Sequence, residues 1–205
     1  MKRTIVGILL LVGCSSTLDI DDDDLTRLPN LEQLNYSGIT PAQSHRYWEL
    51  RESWGAGGAD RVLGSGGQVP RSQLDSASIT ALNNTRPTSG FAIGCLPAYC
   101  YKYVVAVNGT VHAYTSAEAL RQFLGTIDSV EEAALVALAR NLYWSGDDPA
   151  TGFAAVSVGW EIVGLELVRS CAPVQTDRVH ILVRRDGTIR ELGREVHSKL
   201  ENACV

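Results

Sequence analysis

The sequence predicts an α+β fold: an antiparallel sheet, built from a hairpin plus a C-terminal meander, with helices packed on one face and two disulfides. Three observations predict it. Runs rich in β-branched and aromatic residues are joined by the tight-turn pairs Asn108-Gly109 and Asp186-Gly187. Two helix-start signatures lie between the hairpin and the meander, at Thr115-x-x-Glu118 and Ser129-x-x-Glu132. Cysteines 95, 100, 171 and 204 fall where they can close one small loop and pin one long one.

The N-terminal stretch stands apart from that fold. Met1-Lys2-Arg3 is basic, Thr4 to Val12 is nearly all apolar, and Gly13 precedes Cys14. A basic start, a short apolar core and a small residue before the cut are the parts of a secretory signal. The apolar run is about half of the ~20 residues that span a bilayer. Leu11-Val12-Gly13-Cys14 resembles the lipobox of bacterial lipoproteins. That resemblance implies removal of residues 1–13 as a signal peptide, a thioether-linked lipid on Cys14, and acylation (palmitate, for example) of the new amino terminus. Two or three chains anchor a protein stably where one does not. Ser15 stands where an Asp would mark inner-membrane retention in enteric-type bacteria, so the resemblance also implies the outer membrane.

Residues 14–40 are expected to be an acidic tether. Asp19 and the run Asp21-Asp22-Asp23-Asp24 repel one another and favour an extended chain. The spaced Asp-x-Asp-x-Asp-Gly of a calcium loop is missing, so a solvated spacer is the expectation. The whole chain has 205 residues, 45% hydrophobic and 20% charged, which is ordinary for a globular protein. Its formal charge is −5, and loss of Lys2 and Arg3 would deepen that. Such a balance argues against nucleic acid and against adhesion to anionic headgroups.

Residues 41–94 read as a helical, glycine-rich N-terminal part. Thr40-Pro41 has the form of an N-cap and first helical residue, and Tyr47, Leu50 or Arg51, and Trp54 follow at helical spacing. Gly55 to Gly67 holds six glycines and no G-K-[ST], so a linker is expected there and not a phosphate loop. Residues 72–84 suit a short helix.

Residues 95–205 read as the core domain. Tyr101 to Val107 and Thr110 to Tyr114 predict a hairpin with a type I′ turn at Asn108-Gly109. Thr115 caps a helix that stops at Gly125, and Ser129 caps a second that runs to about Tyr143. Strands follow over 153–158, 160–169, 178–185 and 188–198. With Cys14 assigned to lipid, four cysteines remain, an even number suited to an exported chain. Cys95 and Cys100 are expected to close a short loop. In an up-down-up meander the strands near 165 and 193 run the same way, which puts Cys171 and Cys204 on one rim and predicts their pairing. No closely spaced Cys/His set points to a metal, and no cofactor is expected.

No constellation for chemistry stands out. The histidines 45, 112, 180 and 197 show no i, i+4 pair and no H-E-x-x-H. G-x-S-x-G does not occur. Glu131-Glu132 complement a helix dipole, and Asp147-Asp148 before Pro149 suits a turn. The aromatic cluster Tyr99, Tyr101, Tyr103 and Tyr114 is the candidate binding surface, suited to a protein, peptide or glycan, although cross-strand core packing also explains it. Cys95-x4-Cys100-Tyr-x-Tyr, the helices, and Cys171-Ala-Pro-Val resemble envelope lipoproteins, a resemblance that implies a location and no activity. The expected role is a non-enzymatic binding module in the cell envelope. The alternatives are a periplasmic or surface hydrolase with dispersed residues, and an inhibitor of a wall-degrading enzyme acting through the Cys95–Cys100 loop.

Overall fold

The computed structural model describes residues 25–30, 34, 36–54, 60–94 and 100–205. They form an α+β fold with two antiparallel sheets. The first sheet holds β1 (Tyr47–Trp54), β2 (Arg61–Gly66), β3 (Ala92–Gly94), β4 (Cys100–Asn108) and β5 (Thr110–Tyr114). Its order is β2-β1-β4, with β3 and β5 sharing the far edge of β4. The second sheet is the expected meander, β6 (Gly152–Val156), β7 (Gly159–Ser170), β8 (Val174–Arg184) and β9 (Ile189–Leu200). The hairpin and the meander therefore belong to separate sheets and not to one.

Between the sheets lie α2 (Ala117–Leu124) and α3 (Val130–Leu138). Leu120, Phe123 and Leu124 of α2, and Ala133 to Leu138 of α3, join Trp48, Leu50 and Val104 of the first sheet and Ile162, Val179, Ile181 and Val183 of the second in one apolar core. α1 (Ser76–Asn84) covers the other face of the first sheet, where Leu74 and Leu82 pack on Tyr47, Tyr101, Tyr103, Val105 and Val107. Helices thus lie on both faces of that sheet.

Local chemistry explains the helix ends. Asp75 caps α1 by accepting from Ser78 N at 2.8 Å. Ser129 and Glu132 form the full capping box of α3. Glu132 is fully buried because its carboxylate also accepts from Thr40 N (2.7 Å) and Asp128 N (2.8 Å). The cap of α2 is Ser116, which accepts from Ala119 N, and not Thr115 as expected. Helix α3 stops at Leu138, short of the expected Tyr143, and Asn141 turns the chain away at φ +65°.

Four further expectations change. Residues 47–54 are a strand, not a helix: Tyr47, Glu49 and Arg51 face α1 while Trp48 and Leu50 face the main core. Trp48-Glu49-Leu50-Arg51 alternates in polarity, but both faces are buried, so the alternation does not mark a solvent face. Residues 61–66 are β2 and not linker; a Cβ on Gly64 would meet Tyr36 at 2.5 Å, so the glycine lets Tyr36 pack on the face of the strand. The expected tether does not run on to residue 40: Thr26 pairs with Phe153, Trp144 Nε1 donates to Pro29 O (3.0 Å), and Leu28, Leu34, Tyr36 and Ile39 are core residues. Those four core residues follow no regular period, which hid them. At the hairpin, only Gly109 takes positive φ (+80°) and Asn108 pairs directly with Thr110, so the turn is tighter than type I′.

Cys171 and Cys204 are bonded, as the strand directions predict. This is one disulfide among the described residues where two were expected; Cys95 lies outside the described residues and its pairing with Cys100 stays a proposal. β9 is a free edge, but bulges at Leu192 and His197 interrupt its register. Arg194, reaching Glu166 (2.6 Å), Asp177 (3.2 Å) and Glu191 (3.0 Å), ties it back to β7 and β8.

A candidate ligand-binding groove

A groove of about 520 Å³ opens between segment 39–45 and residues 65–68 at the end of β2. Its walls are fixed by the backbone. Gln68 N donates to His45 O (3.1 Å), Val69 N to Arg46 O (3.1 Å), and Arg46 N to Val107 O (2.9 Å). The outer wall is held to the helices by Ala42 N on Phe123 O (2.7 Å) and Thr40 N on Glu132. Glycine is needed on the inner wall. A Cβ on Gly66 would strike the Trp48 indole at 2.8 Å, and Gly67, at φ +128°, would strike Arg46 O at 2.7 Å.

The lining is neutral. Thr40, Ser44 and Ser65 supply hydroxyls, Gln43 and Gln68 supply amides, and Ile39, Pro41, His45 and Trp48 supply apolar and ring surface. Gln68 Nε2 donates to Ser44 Oγ at 2.8 Å, across the groove. His45 stacks on Phe123 at 5.5 Å, and burial, with His112 nearby, lowers its pKa below 6.5. Its Nδ1 is buried and makes no hydrogen bond. The imidazole is therefore neutral at physiological pH.

A second polar cluster sits under α1. Glu49, fully buried, accepts from Tyr47 Oη (3.0 Å), Arg51 Nε (2.7 Å) and the Arg71 guanidinium (2.6 Å). Arg51 also donates to Leu82 O (2.9 Å) and lies 3.9 Å from Asp60. Tyr103 Oη donates to Asp60 (2.7 Å), and burial raises its pKa well above 10. The cluster joins β1, β4, Asp60, the 3-10 turn Arg71–Gln73 and α1 through buried charge, a structural use of it.

The sequence-derived candidates scatter. Tyr101 and Tyr103 share a face, but they are 7% and 0% exposed and pack under α1. Tyr114 lies on the opposite face against His45 and Phe123. Tyr99 and Cys14 lie outside the described residues. The three described tyrosines therefore form no common exposed surface, because the hairpin register sends Tyr114 across from Val104 and not Tyr103. His112 is exposed and contacts Thr110. His180 Nε2 sits 3.0 Å from Glu161 on the outer face of the second sheet, and its Nδ1 is buried with no partner. His197 approaches Asp148 at 3.8 Å. No group of three metal-ligating side chains occurs among the described residues. Nor is any helix among them long and apolar enough to cross a membrane.

Sequence reasoning missed the groove. Its signal, the run Gly64-Ser65-Gly66-Gly67-Gln68 beside a Trp, is legible only once β2 is known to lie against β1. Compared with protein-family models, with curated proteins and with solved structures, the chain matches none.

Proposed function

We propose that the protein is a cell-envelope lipoprotein, held through acylated Cys14 in the outer membrane, whose folded part is a non-enzymatic binding module. The groove beside β2 carries this reading: it is preformed by backbone hydrogen bonds and lined by side chains that bind without reacting. The anchor rests on Leu11-Val12-Gly13-Cys14. Chain growth in labelled palmitate, followed by detergent phase separation, tests it. The native chain should carry label and enter the detergent phase, and Cys14→Ser should do neither. Capture of an envelope component by the lipidated protein tests the module. Capture should be lost when the outer wall of the groove is blocked by Ser44→Trp, and capture that survives this change would remove the groove from the proposal.

The hydrolase reading has one observation in its favour, the His180–Glu161 contact. Its neighbours on that face, Val163 and Leu182, are apolar and buried. Among the described residues no hydroxyl or thiol is hydrogen-bonded to His180. Hydrolysis of an envelope polymer that is abolished by His180→Gln would replace the binding reading with this one.

A further inference from the structure

We propose that the groove takes a neutral sugar unit. This rests on the binding-module reading and names the chemistry of its ligand. No lining residue carries a charged side chain, so an ionic ligand would enter without a counter-charge. More of the exposed lining is apolar than polar, so Ile39, Pro41 and the His45 and Trp48 rings offer the non-polar face of a sugar ring a surface to rest on.

Beside that surface the groove offers hydrogen-bonding groups that both give and accept. Thr40, Ser44 and Ser65 hydroxyls and the Gln43 and Gln68 amides each have both capacities, as sugar hydroxyls do. Gln68 spends one N–H on Ser44 and keeps its carbonyl oxygen and second N–H. That bond also fixes the amide, so less rotamer entropy is lost on binding. The glycines at 66 and 67 let that wall pack directly on Trp48 and on the Arg46–Tyr47 backbone, which holds it in place.

The test is a titration of the full lipidated protein in detergent with triacetylchitotriose, a neutral oligosaccharide, followed by calorimetry. A galacturonic acid trimer serves as the charged counterpart. Saturable binding of the neutral trimer is expected, weakened about tenfold (1.4 kcal/mol) or more by Gln68→Ala. Absence of saturable binding of the neutral trimer overturns the ligand class. Tighter binding of the acidic trimer overturns it too. Binding unchanged in both Gln43→Ala and Gln68→Ala overturns the groove as its site. The envelope capture described above separates the two claims: capture that is sensitive to Ser44→Trp, with no sugar binding, leaves a binding module with a different ligand.

Discussion

At the scale of single residues, buried charge and a buried imidazole dominate. Glu49 and Arg51 neutralise each other under α1, and Arg71 closes the ring from the surface. Removing one member strands the other in the interior, whereas replacing both with apolar groups does not. Glu49→Ala should therefore cost about 3–5 kcal/mol in urea unfolding. The double change Glu49→Leu with Arg51→Met should cost clearly less. His45 works through protons. Burial against Phe123 and Tyr114, with His112 nearby, depresses its pKa below the unfolded value of 6.5. The unfolded chain then binds the proton first, so this stability is present above pH 6.5 and is lost as pH falls toward the folded value. The urea midpoint of the native chain should fall more between pH 7.5 and 5.5 than that of His45→Phe.

Among elements, the second sheet was the most readable and β1 the least. Strands β7 and β8 are rich in β-branched residues, Asp186-Gly187 marks a clear turn between β8 and β9, and the strand directions placed Cys171 beside Cys204. The bridge spans 33 residues, and closing such a loop contributes about 3–4 kcal/mol in the chain-entropy model. Cys171→Ser with Cys204→Ser should lose about that much, with the far-UV spectrum retained. β1 was misread because its polar residues are buried: Glu49 and Arg51 fall at strand spacing but face the interior, so polarity stopped reporting exposure. The α2 cap moved by one residue because Thr115 and Ser116 are both good N-cap residues; only Thr115 has a Glu three residues on, yet Ser116 makes the cap.

Across the whole molecule, α2 and α3 serve both sheets, and Leu28, Leu34, Tyr36 and Ile39 pack into the same core. Leu135 sits at its centre, fully buried. Leu135→Ala should cost about 2–5 kcal/mol and lower the melting of both sheets together, seen as coincident near- and far-UV transitions. The groove escaped the sequence for the same reason that the core unites the fold: its walls come from 39–45 and 65–68, brought together only when β2 folds back on β1. The Cys171–Cys204 bridge has a mechanical meaning as well. A load drawn between the two ends of the chain crosses that covalent link and bypasses the segment between the cysteines. Reduction should release roughly 110 Å of additional contour length in single-molecule stretching, at ~3.3–3.6 Å per residue. With the bridge intact, β8 and β9 are a ratcheted store of slack, which tension along the chain cannot pay out.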